Sequence, residues 1–132
     1  MTMQWYELAR NPQAIKHLYD EVPPLEEMEL INLIINRDGP KVICKMDFPR
    51  FADHRPERWE KKSNTVHIEL EFWMINELKI EGFTTTPMLD FTIEQIGDKM
   101  KVRAEDDGCS MQFLCETIYI QRVSGYIKEP IG

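Results

Sequence analysis

The sequence predicts a mainly β, α+β fold: a curved antiparallel sheet or sandwich of about seven strands with one N-terminal helix. Runs in which apolar and polar residues alternate recur along the chain, most clearly at residues 66–72. Such alternation places one set of side chains in a core and the other at the surface. Short turn segments such as Gly97-Asp98 separate the runs, whereas helical spacing occurs only near the N-terminus.

Size and charge narrow the classes of function. The 132 residues suit one domain, so we expect a single domain over residues 1–132. A formal net charge of −7 disfavours nucleic-acid binding, which needs a basic face, and suits a basic protein partner. Because the sequence has no apolar run of membrane-spanning length and no secretory-signal pattern, we expect a cytoplasmic protein without membrane contacts.

Residues 5–20 have the pattern of the one helix. Asn11 suits the N-cap and Pro12 the first helical position. Four apolar residues then recur at helical spacing: Ala14, Ile15, Leu18 and Tyr19. Pro23 and Pro24 end the helix because neither can donate a backbone hydrogen bond. We expect this helix to cover one end of the sheet.

Two strands follow, over residues 28–36 and 41–48, joined by a turn at residues 37–40. Four residues of the second strand share an apolar face: Val42, Cys44, Met46 and Phe48. Its other face carries Lys41, Lys45 and Asp47. In the first strand we expect Ile31, Leu33 and Ile35 to point into the core.

Residues 64–83 predict two antiparallel strands with a break at residues 74–77. The first has a core face formed by Val66, Ile68, Leu70 and Phe72. Its wet face is formed by Thr65, His67, Glu69 and Glu71.

Later in the chain, residues 88–96 and 99–104 form a hairpin through Gly97-Asp98. A last strand over residues 111–123 changes phase near Glu116-Thr117, which predicts a bulge there, and we expect the tail from Tyr126 to be loose.

No sequence motif of catalysis or of metal or cofactor binding is present. The glycines are isolated turn residues rather than a phosphate-binding loop, and neither a metalloprotease helix motif nor a nucleophile elbow occurs. The cysteines lack metal-site spacing, and we expect Cys44 and Cys115 in the core. We therefore predict a protein that is not an enzyme, with no catalytic residue, cofactor or metal, and the roles of His54 and His67 stay open.

Three places on the chain are candidates for partner contact. Glu26, Glu27 and Glu29 form an acidic edge at the start of a strand, with no nucleophile near them in sequence. A long loop over residues 49–63 has two aromatic residues among basic ones, and long loops on rigid β scaffolds often carry recognition. Charged residues of the central wet face complete the set. The seven candidates are Glu26, Glu27, Glu29, Phe51, Trp59, Glu69 and Glu71.

Four short motifs occur in an order shared with a known family. They are the proline segment Pro23-Pro24-Leu25-Glu26-Glu27-Met28-Glu29-Leu30, the turn Arg37-Asp38-Gly39, the aromatic segment Phe72-Trp73-Met74-Ile75-Asn76-Glu77-Leu78 leading to Gly82-Phe83, and the late strand Phe113-Leu114-Cys115-Glu116-Thr117-Ile118. Over residues 5–123 the chain resembles the immunity protein fifty family of bacterial polymorphic toxin systems. The family's Phe-His-Asp is replaced here by Leu25, Glu26 and Glu27, whereas Glu29 matches its acidic position.

The resemblance implies a protein that binds a cognate protein toxin in the cytoplasm of the producing cell and neutralises it by occluding its active site. Nucleases with basic clefts are one class of such toxins, and the resemblance implies no turnover chemistry. The chain itself would be a monomer or a homodimer. Two alternatives stay open: a non-catalytic scaffold that self-associates, and a small-ligand-binding domain with an enclosed polar pocket.

Overall fold

The structure, a computed structural model, describes residues 4–85 and 87–129 and confirms a mainly β fold. A short 3-10 helix (Trp5–Leu8) and the helix α1 (Gln13–Lys16) come first. Eight strands follow: β1 (Met28–Asn36), β2 (Lys41–Asp47), β3 (Thr65–Trp73), β4 (Asn76–Glu81), β5 (Met88–Ile96), β6 (Lys99–Glu105), β7 (Ser110–Cys115) and β8 (Thr117–Tyr126). No helix in the described ranges has the length and apolar character needed to cross a membrane.

The eight strands form one open antiparallel sheet in the order β4-β7-β6-β5-β1-β2-β3-β8. Within the described residues, strand pairing joins its two halves, β4-β7-β6-β5 and β1-β2-β3-β8, only at Met28 and Glu29, where β1 pairs with β5. Consecutive strands β3 and β4 lie six positions apart in this order, as do β7 and β8. The sheet therefore folds over on itself, and rings from its two ends touch, with the Phe72 and Phe113 centroids 5.1 Å apart.

The core lies between the two halves of the sheet. Every second residue of β2, β3, β6 and β7 points into it, as period-two alternation requires. Buried members include Val42, Cys44, Met46, Ile68, Leu70, Phe72, Val102, Ala104, Met111, Phe113 and Cys115. The predicted core faces of β2 and β3 and the hairpin through Gly97-Asp98 are confirmed.

The N-terminal helix is much shorter than predicted, because Arg10 and Asn11 bind the edge of β8 instead of starting a helix. The Arg10 N–H donates to the Ile118 carbonyl oxygen at 2.9 Å. The Asn11 side chain donates to the Ile120 carbonyl oxygen at 2.8 Å and accepts from its N–H at 2.9 Å. Only Gln13–Lys16 is α-helical. The predicted apolar stripe still covers the sheet, since Ile15, Leu18 and Tyr19 are buried.

Two predicted connections are wrong in the same way. β3 and β4 are not a hairpin: β3 pairs with β2 and β8, whereas β4 pairs with β7. The predicted bulge near Glu116 is the point where β7 ends and β8 begins at the other end of the sheet. The two connections support each other, because the Glu116 N–H donates to the Trp73 carbonyl oxygen at 2.9 Å. β4 is mostly exposed rather than half buried.

Two smaller predictions are also corrected. Ile31 and Ile35 are each 49% exposed, because the β1–β2 register shifts between Leu30 and Asn32 and β1 runs on beyond its short pairing with β5. The tail is anchored at Lys128, whose N–H donates to the Asn64 side chain at 2.8 Å. Residues 130–132 of the predicted loose tail lie outside the described residues.

Candidate functional site

The side of β1, β2, β3 and β8 that points away from the core carries polar side chains, and we call it the polar sheet face. Strand register places its members in cross-strand rows. Lys45 lies opposite Glu69, and Glu69 lies opposite Arg122. Glu71 lies between Ile43 and Tyr119 in the next row. Charges of both signs therefore alternate along the Lys45 row, as in an ordinary mixed-charge surface.

One end of the polar sheet face holds a buried carboxylate with three donors. Asp47 is only 2% exposed. It accepts hydrogen bonds from His67 Nδ1 at 3.0 Å, from Lys128 Nζ at 2.9 Å and from the Tyr126 hydroxyl. Lys128 Nζ also contacts Glu29, so one ammonium bridges two carboxylates. A buried charge is tolerated when it is paired and hydrogen-bonded in this way.

His67 joins this cluster to the middle of the face. Its Nδ1 faces Asp47 and its Nε2 lies 3.3 Å from Glu69 Oε2. Both ring nitrogens are thus directed at carboxylates. Such contacts fix the orientation of the imidazole.

Tyr126 closes the same cluster from β8. Burial raises the pKa of its hydroxyl to about 12, and the hydrogen bond to Asp47 acts in the same direction. The phenol is therefore a hydrogen-bond donor throughout the neutral range. These contacts make the cluster a structural clamp on the end of β8.

The other end of the polar sheet face has an open groove of about 520 Å³. It is lined by Arg10, Glu71, Trp73, Met74, Thr117, Tyr119 and Gln121. Glu71 is 7% exposed, and its carboxylate accepts a hydrogen bond from Trp73 Nε1 at 3.0 Å. Lys41 Nζ lies 4.5 Å from the centroid of the Trp73 ring. The groove thus combines aromatic walls with one buried carboxylate.

A row of acids crosses the other half of the sheet. Asp90 lies opposite Glu105, and Ser110 lies between Glu105 and Glu81. The Glu27 N–H donates to Asp90 Oδ1 at 2.8 Å, which brings Glu27 to the end of this row. We call these residues the acidic row; within it Asp90 and Glu105 are like charges placed opposite each other, which repel, and the adjacent row carries Lys79 and Arg103 opposite Gln112.

The long loop after β2 is fixed against the N-terminal segment. The Tyr19 hydroxyl donates to the Arg50 carbonyl oxygen at 2.7 Å, and the His54 N–H donates to the Leu18 carbonyl oxygen at 3.0 Å. The Asp20 N–H and the Arg50 guanidinium, both directed at Asp53, lower the pKa of that carboxyl. The loop is therefore an ordered part of the surface.

The Asp20 carboxylate lies 2.6 Å from His54 Nε2 and raises the pKa of the imidazole. Within residues 4–85 and 87–129, no group of three or more His, Cys, Asp or Glu side chains could hold a metal ion. Cys44 and Cys115 are buried, as predicted, and burial raises the pKa of each thiol to about 12.

The model of the family Immunity protein 50 matches residues 11–126. The chain belongs to this immunity protein family. No curated protein and no solved structure matches the chain. Membership implies a toxin partner in general, and the immunity protein family is generally non-catalytic.

The predicted contact residues of this immunity protein lie in three separate places. Glu29, Glu69 and Glu71 share the polar sheet face, which joins two predicted groups. Glu26 and Glu27 are exposed, and Glu27 lies at the end of the acidic row.

Phe51 and Trp59 are together in the loop, with ring centroids 6.1 Å apart. Trp59 is 7% exposed and lies against Gly125, where an added Cβ would come within 2.2 Å of its ring. Its indole offers little surface to a partner. Contact at all seven residues stays a prediction.

Sequence reasoning missed the residues that complete the site of this immunity protein: Trp73, Tyr119, Tyr126 and Lys128. Trp73 continues the alternation of the wet face by one residue, so the pattern contained that signal. Tyr119 and Tyr126 could not be placed, because the chain was predicted to bulge at Glu116 rather than to cross to the other end of the sheet. Lys128 lay in the tail that was predicted to be loose.

Proposed function

We propose that this chain binds a cognate bacterial toxin in the cytoplasm of the producing cell and neutralises it by covering the toxin's active site. The match to the immunity protein family over residues 11–126 carries the proposal. A toxin with a basic cleft, such as a nuclease, suits the net charge of −7.

The polar sheet face and the acidic row both support a toxin-binding surface that exists before the toxin binds. The polar sheet face presents a groove with aromatic walls, and aromatic residues are enriched among the residues that dominate binding energy. The acidic row provides a field that would steer a basic partner and increase its association rate. Occlusion needs only this complementarity, and the chain does no chemistry on the toxin.

The first experiment is capture of the toxin by the tagged full chain from a lysate of the source bacterium. Washes at low and then high salt test the electrostatic contribution, since exposed charge pairs weaken as salt rises. We expect a basic protein that is released at high salt. The captured protein is then expressed alone and together with this chain in a test host.

Growth inhibition by the captured protein alone, and its relief by co-expression with this chain, is the expected result. In vitro, the toxin's activity should fall to zero near one equivalent of the chain. Toxicity that persists on co-expression, or activity that persists at a large excess of the chain, would contradict the proposal.

A further inference from the structure

We infer that the groove beside Glu71 receives a lysine or arginine side chain of the toxin; the identity of this partner rests on the proposed function. Glu71 provides the central observation. It is 7% exposed, and the one hydrogen bond that its carboxylate accepts within the described ranges comes from the neutral indole N–H of Trp73. No cation of residues 4–85 or 87–129 lies within 4.0 Å of its carboxylate.

Two other acids of the polar sheet face, Asp47 and Glu69, have a basic side chain beside them, whereas Glu71 has none among the described residues. Asp47 pairs with Lys128, and Glu69 lies beside His67. A carboxylate withdrawn from water without a counter-charge is unfavourable, and a cation that enters the site recovers that cost. The charge of the missing partner is therefore positive.

The walls indicate a long side chain rather than a small ion. Trp73, two residues along β3 from Glu71, and Tyr119, opposite Glu71 on β8, both line the groove, and aromatic faces attract guanidinium and ammonium groups. The apolar stem of lysine or arginine can cover Met74 while its charged end reaches the carboxylate. The groove volume of about 520 Å³ lies within the ~300–1,000 Å³ that is usual for binding sites.

Arg10 also lines the groove, but it is not the counter-charge of Glu71. Its side chain makes no ion pair with Glu71 within 4.0 Å, and its backbone N–H is held by Ile118 at the edge of β8. Lys41 lies over the Trp73 ring rather than beside the carboxylate. The groove that Glu71, Trp73 and Tyr119 line is therefore open to a cationic side chain from outside.

The test is an NMR titration of the full chain with the peptide acetyl-Gly-Arg-Gly-amide. The readout is the indole N–H signal of Trp73, with those of Trp5 and Trp59 as internal controls, because both are buried away from the groove. We expect a saturable shift of the Trp73 signal alone. The same peptide with citrulline in place of arginine keeps the shape without the charge and should bind at least about fivefold more weakly.

Two variants complete the design. Glu71→Gln keeps an acceptor for Trp73 Nε1 and removes the charge, so it should weaken binding of the arginine peptide by about fivefold or more. Glu69→Gln, on the same strand and face, should change binding by less than about twofold. If Glu71→Gln fails to fold, the comparison of arginine with citrulline on the native chain still decides.

Equal binding of the two peptides, or no shift at Trp73, would overturn the inference. So would direct contacts between the Arg10 guanidinium and Trp73 in the free protein, since the chain's own arginine would then fill the groove. With the captured toxin, unchanged affinity of Glu71→Gln would overturn this inference and leave the proposed function intact. Selective peptide binding together with a captured protein that is not toxic would overturn the proposed function and leave the cation site.

Discussion

Among single residues, Asp47 has a side chain that binds three different residues of the described part of the chain. Its carboxylate holds three elements together: His67 on β3, Tyr126 at the end of β8, and Lys128 beyond it. Because Asp47 is 2% exposed, water cannot replace a lost partner on its side of the cluster. The three donors are more accessible, with the Lys128 side chain 37% exposed.

Asp47→Ala should therefore lower the free energy of unfolding by about 2 kcal/mol. Removing one partner of a fully buried ion pair costs ~3–5 kcal/mol. The expected loss is smaller here because water can partly rehydrate the three donors. Urea unfolding followed by tryptophan fluorescence measures this change. The matched control is Asp107→Ala in an exposed turn, which should change stability by less than ~0.5 kcal/mol. Equal effects of the two substitutions would show that the cluster does not stabilise the fold.

At the scale of elements, local patterns were sufficient wherever neighbours in sequence are neighbours in the sheet. The β1–β2 and β5–β6 hairpins follow from alternation and from turn residues such as Gly97-Asp98. The connections from β3 to β4 and from β7 to β8 could not be predicted, because a short break between two apolar runs looks the same in a hairpin as in a crossover. The prediction that Asn11 caps the N-terminal helix was wrong for a related reason. Its actual partner, Ile120, is distant in sequence, whereas the sequence alone favours the local cap.

The contact between the N-terminal segment and the long loop includes a titratable pair. Asp20 raises the pKa of His54 above its ordinary value. A raised folded-state pKa means that the pair's stabilisation is fully present below the unfolded-state pKa and is lost as pH rises through the folded-state pKa. Asp53 has the opposite pH dependence, because its folded-state pKa is lowered. Its stabilisation is present above the unfolded-state pKa and is lost as pH falls through the folded-state pKa.

Asp20→Asn should lower the pKa of His54 toward the ordinary value of about 6.5, because the hydrogen bond loses its negative acceptor. The backbone N–H that binds Asp53 is retained in this variant. An NMR titration of the His54 ring protons measures the shift. Glu21→Gln removes the neighbouring charge without touching the pair and should leave the titration unchanged. An identical His54 titration in Asp20→Asn and in the native chain would contradict the assignment.

For the whole molecule, the sequence predicted which residues of β3 face outward but not what surrounds them. Glu71 was a candidate because of its position in the alternating run. Its burial and its neighbour Tyr119 follow from the placement of β8 beside β3 and of Arg10 at the edge of β8, both of which are long-range contacts. The acidic row likewise depends on strand register across four elements, which no local pattern contains.

Sheet edges decide whether this molecule self-associates. The outer edge of β8 is bound by Arg10 and Asn11 near Ile118 and Ile120. β4 is exposed at the other end of the sheet, but it carries Glu77, Lys79 and Glu81, and charged residues on an edge strand oppose pairing with another chain. Repulsion between copies with a net charge of −7 acts in the same direction. Phe83 has the opposite effect, because its fully exposed apolar ring next to β4 favours self-association.

We expect the charges to prevail and the free protein to be a monomer. Sedimentation equilibrium over a wide concentration range should give the mass of one chain throughout, at low and at moderate salt. Phe83→Ser is the matched variant and should give the same mass. A native mass that rises with concentration and returns to one chain in Phe83→Ser would instead favour the self-associating scaffold, because a single aromatic side chain beside β4 would then overcome the charged edge that keeps the copies apart.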